Sequence, residues 1–74
     1  MNKQKRGRLA EAVAKLEGAS GIMQSVLDDE QESLYNLGER FSETEKYQAM
    51  EEIAETLEEQ IDTLNGVIET VGGI

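Results

Sequence analysis

Apolar residues in the last third of the chain recur as Tyr47, Met50, Ala54, Leu57, Ile61, Leu64, Ile68 and Val71, an unbroken three–four alternation. Strand side chains alternate with a period of two, so this spacing predicts a helix with a coiled-coil-like seam. A second stripe runs through the first half as Leu9, Val13, Leu16, Met23, Leu27 and Leu34. Ala12, Ala19 and Val26 widen it, and Ser20 and Glu30 are its polar members. The expected elements are helix 1 over about 3–36, a turn over 37–42 and helix 2 over about 43–71.

Punctuation between the stripes supports those bounds. Gly38 is placed to end helix 1 in the left-handed region. Ser42 followed by Glu45 has the form of a capping box, with Glu43 adding an acid in the first turn. Phe41 is expected to fold over the tip with Leu37 and Tyr47. So short a connection makes the two helices antiparallel neighbours. The fold class is all-α, a helical hairpin.

Gly18 and Gly21 interrupt helix 1, each costing about 1 kcal/mol relative to Ala. A continuous but weakened helix is favoured over a break capped by Ser20. Close approach of a neighbouring helix would be a second reason for two small residues there. The Val71–Ile74 tail is expected to fray.

Some apolar residues fall outside the seams: Ile22 and Val26 on helix 1, Ile53 and Val67 on helix 2. A two-helix layer of 74 residues has little interior to cover them. Pairing of two hairpins into a four-helix bundle would do so, making a homodimer. A foreign protein docking on the same residues is the competing expectation.

Composition removes most chemistry. Cys, His, Pro and Trp are all absent, and with them go disulfides, thiolate nucleophiles and the commonest general base and metal ligand. Glu30 stands among Asp28, Asp29 and Glu32, but the run lacks the alternation and Gly of a calcium loop. A polar residue setting register is the better reading of it. Gly18-x-x-Gly21 has neither the Lys nor the strand of a phosphate loop. The serines have no base to activate them. No enzyme, cofactor or metal is expected.

Charge adds a direction. The net charge of −9 divides into +4 over residues 1–15 and −13 over the rest. The basic head has no aromatic residue for base stacking, so nucleic acid is not an expected partner. It leads into no apolar signal core, and no run spans a bilayer, so a cytoplasmic location and no membrane contact are expected. Pairing of Lys3, Lys5, Arg6 and Arg8 with Glu58, Glu59, Asp62 and Glu69 across the hairpin is expected as well. Glu51, Glu52, Glu55, Glu58, Glu59 and Asp62 recur on successive turns of helix 2, on the side away from the seam. Such a ridge could occupy the basic surface of another protein.

The run Glu30-Gln31-Glu32-Ser33-Leu34-Tyr35-Asn36-Leu37, with Glu43-Thr44-Glu45-Lys46 and Met50-Glu51-Glu52 beyond it, resembles a group of short acidic proteins. These are encoded by phages and prophages of Gram-positive bacteria. The likeness covers nearly the whole chain. It departs at Gly38, where the group usually has Pro, and at Gly18 and Gly21, where it usually has helix formers. The resemblance implies a viral or mobile-element origin, with the host cytosol as location, and no established activity. Small acidic phage proteins often act by binding and disabling host factors, including nucleic-acid-handling and defence proteins, and such a role is the expectation. The alternative is a scaffold whose partner is itself.

Overall fold

A computed structural model describes residues 1–74, apart from the side chain of Glu39. Helix α1 spans Lys3–Leu37, a single 3-10 turn spans Glu39–Phe41, and helix α2 spans Glu45–Gly72. The two helices pack antiparallel in a rod of 58 × 15 × 13 Å. Helix α1 is continuous through Gly18 and Gly21, as the periodicity favours. A Cβ at either glycine would meet nothing within 4 Å, so close approach of α2 is not what their small size serves.

Both seams are as the spacing requires. On α1 the positions withdrawn from solvent are Leu9, Val13, Leu16, Ser20, Met23, Leu27, Glu30, Leu34 and Leu37. On α2 they are Tyr47, Met50, Ala54, Leu57, Ile61, Leu64, Ile68 and Val71. Leu27, Ala54 and Ile61 form the buried core, with Met23, Leu34 and Leu57 packed against it. Register is marked by the Ser20 hydroxyl, which donates to Asn65 Oδ1 at 2.8 Å across the hairpin. Both helices rise by the same ~1.5 Å per residue, so Leu27 lies level with Leu57 and Leu16 with Ile68. Glu30 falls opposite Ala54, the smallest side chain of the α2 seam.

The ends of the helices are capped by side chains. Asn2 Oδ1 accepts from the Lys5 amide at 2.8 Å and starts α1. At its other end Gly38 has φ 77° and ψ 169°, and its N–H donates to the Leu34 carbonyl. That positive φ is where glycine was expected, though ψ is extended instead of helical. The pair is essentially glycine-only backbone.

One expectation at the ends needs correction. Ser42 does not cap α2: the 3-10 turn carries the chain past it, and Thr44 accepts from the Tyr47 amide at 3.2 Å. The Thr44 hydroxyl also donates to the Phe41 carbonyl at 2.7 Å, tying cap to turn. Phe41 lies in the turn, 37% exposed, with the Arg40 guanidinium 4.9 Å from its ring centroid. The tail is helical through Gly72, and the Gly73 and Ile74 amides donate to the carbonyls of Glu69 and Val71.

The expected ion pairs between head and far end do not form. Among the described residues the one ion pair is Lys15–Glu11, 3.3 Å apart within α1. Register explains this. Glu58 lies level with Leu27 and Glu69 with Leu16, while residues 3–8 lie past the level of Ile74. The cations and those acids are turns apart.

Candidate protein-binding surfaces

Heptad geometry sorts the surface residues into two flanks. With the seam at positions a and d, Glu51 and Glu58 take position e, Glu55 and Asp62 position b, and Glu52 and Glu59 position f. All six are exposed. They spread from beside the seam to the outer side of α2, so they form a flank and not the back of the helix. Glu55, Glu58, Glu59 and Asp62 line one shallow groove. Glu58 and Asp62 also border a second groove with Gln24, Leu27, Gln31 and Ile61.

None of the six carboxylates has a cationic partner among the described residues. Glu51–Glu55, Glu55–Glu59 and Glu58–Asp62 are like-charge pairs four residues apart, which oppose helix formation by a few tenths of a kcal/mol each. A cationic surface set against this flank would relieve that repulsion.

The other flank, positions g and c, is nearly free of acids. Ile22, Val26, Ile53 and Val67 lie on it with exposures of 69%, 50%, 55% and 45%. Because g of one antiparallel helix lies beside g of the other, all four share one face of the hairpin. Thr56 and Thr63 sit between them, with hydroxyls that donate to the Glu52 and Glu59 carbonyls at 3.0 Å. Their polar atoms are thereby engaged within the helix, and the face offers methyl groups. Asp29 is its one acid; Lys5, Arg8, Lys15 and Lys46 are its cations.

The residue-by-residue expectation therefore divides into two opposed surfaces. Glu51 to Asp62 come together, and so do Ile22, Val26, Ile53 and Val67. Ile74, 59% exposed past the end of α2, was not foreseen. Also unforeseen is an apolar pocket at the open end, lined by Leu9, Ala10, Val13, Val71 and Ile74 with Arg6 at its rim.

No group of three or more metal-ligating side chains occurs among the described residues. No helix is long and apolar enough to cross a membrane. No family model, curated protein or solved structure matches the chain.

Proposed function

We propose that the hairpin is a non-enzymatic protein-binding module that sets the acidic flank of α2 against a basic surface of another protein and so modulates it. One observation carries this reading. Six exposed carboxylates occupy successive turns with no cation beside them, although lysines on the same helix could have relieved the repulsion. By the resemblance to phage proteins, the target is a host protein of the cytosol, of the nucleic-acid-handling or defence class. Reversing Glu55 and Glu59 to Lys tests it. In a nuclease-treated host lysate, the partner should be lost to the double variant and washed from the parent by high salt, since exposed charges are screened. A partner that the double variant retains refutes the acidic-flank reading.

A second reading is self-association as a structural module. The aliphatic face supports it, since monomeric proteins seldom leave such a patch contiguous. The two surfaces lie on opposite flanks, so a dimer would still display its acids.

A further inference from the structure

Deepening the self-association reading, on which this inference rests, we propose that a second copy of the chain covers the aliphatic face. The copies stack tip to tail about a two-fold axis crossing Ile22 on α1 and Thr63 on α2.

Charge selects the occupant. Each chain carries −9, yet this face holds a single acid, Asp29, with its four cations toward the ends, so two copies can meet here without opposing their carboxylates. Area agrees. A rod 58 Å long and 15 Å wide offers a face of roughly 800–900 Å², matching the ~800 Å² that each partner of a standard interface buries.

Position of the axis follows from the one acid of the face. Asp29 meets a cation of the second copy, its Lys15, when the axis crosses the level of Ile22, midway between the two. A two-fold axis there, lying in the face and across the helices, sets α1 on α1 and α2 on α2, each pair antiparallel. The heptad positions then coincide. Lys15 falls over Asp29 of the second copy, and Val26 falls at the level of its Gly18-Ala19, a large residue over small ones. Each pairing occurs twice by symmetry.

Direction follows from the unpaired head. Lys3, Lys5, Arg6 and Arg8 make no ion pair within the chain among the described residues. The tip region, residues 28–46, has seven acids against two bases. Tip-to-tail stacking brings each basic head to the acidic tip of the other copy. An axis along the rod would instead place both heads at one end, where they repel.

The absence of cysteine makes the test direct. Sedimentation should give twice the 8.2 kDa of the chain, and Ile53→Glu should return it to single mass with its helical circular dichroism intact. Ile22→Cys and Thr63→Cys, separately and under mild oxidation, should each give a disulfide-linked dimer, whereas Glu55→Cys on the opposite flank should not. Lys15→Asp should weaken the dimer, and adding Asp29→Lys should restore it. Single mass at millimolar concentration overturns self-association altogether. Doubled mass with no self-link at Ile22 or Thr63, or with links only in the Ile22→Cys/Thr63→Cys double variant, overturns the tip-to-tail arrangement and leaves self-association standing.

Discussion

Replacing Ile61 by Ala tests the core of this hairpin directly. Ile61 is 4% exposed and shares the buried core with only Leu27 and Ala54. Its loss removes most of one side of the central layer, where Met23 and Leu57 also pack. Comparable truncations of buried aliphatic residues cost about 2–5 kcal/mol, the transfer term plus that of the cavity left behind. A chain of 74 residues has a stability of roughly 4–11 kcal/mol by the usual per-residue range, and one with three buried residues belongs near the bottom of it. The truncation should therefore consume half or more of the total. The assay is urea denaturation followed by circular dichroism at several protein concentrations, with Ile53→Ala as the comparison. Ile53 is 55% exposed, so within a lone hairpin its truncation should cost less than ~0.5 kcal/mol. If the two truncations cost the same at low concentration, or Ile61→Ala costs less than ~1 kcal/mol, the core is not where the seam places it. A cost of Ile53→Ala that grows with concentration would be the signature of a covered outer face.

The remaining predictions concern the backbone. Gly38→Ala should destabilise by ~1–3 kcal/mol through conformational strain alone, since the new Cβ meets nothing within 4 Å; an unchanged melting curve would refute it. Thr44→Ala should cost about 1 kcal/mol through the lost cap on the Tyr47 amide, whereas Ser42→Ala should cost almost nothing. Equal losses at the two sites would restore Ser42 as the cap. Gly18→Ala and Gly21→Ala should each stabilise by up to ~1 kcal/mol, because both point into open space. A loss of stability would show that a neighbour needs the room.

Both stripes could be read from spacing because burial in an antiparallel pair repeats with the helix, and Ser20 and Glu30 are recognisable as seam members despite their polarity. The cap was harder. Ser42 and Thr44 are both good N-caps, and the choice was made by a 3-10 turn that needs three more residues before helical geometry resumes. The missing ion pairs have another cause. Which acid faces which base depends on register, and periodicity repeats every seven residues without saying where one helix begins against the other. The two surfaces lay between these cases. Glu51 to Asp62 could be grouped along one helix, but Val26 and Val67 could be seen to share a face only once α1 and α2 were aligned.

That alignment has one polar witness. A slip of seven residues, about 10 Å along the rod, would again lay apolar seam against apolar seam over much of its length. Leucines cannot distinguish the two settings, because dispersion is indifferent to identity. The Ser20–Asn65 bond can, since a slip would set Asn65 against Val13 or Leu27, neither of which can answer it. The pair thus acts as the zero mark of a vernier: it contributes little attraction, and its loss would leave a hairpin of similar strength with more than one place to rest. The two faces of the rod, each assembled from both helices, hold together only at that mark.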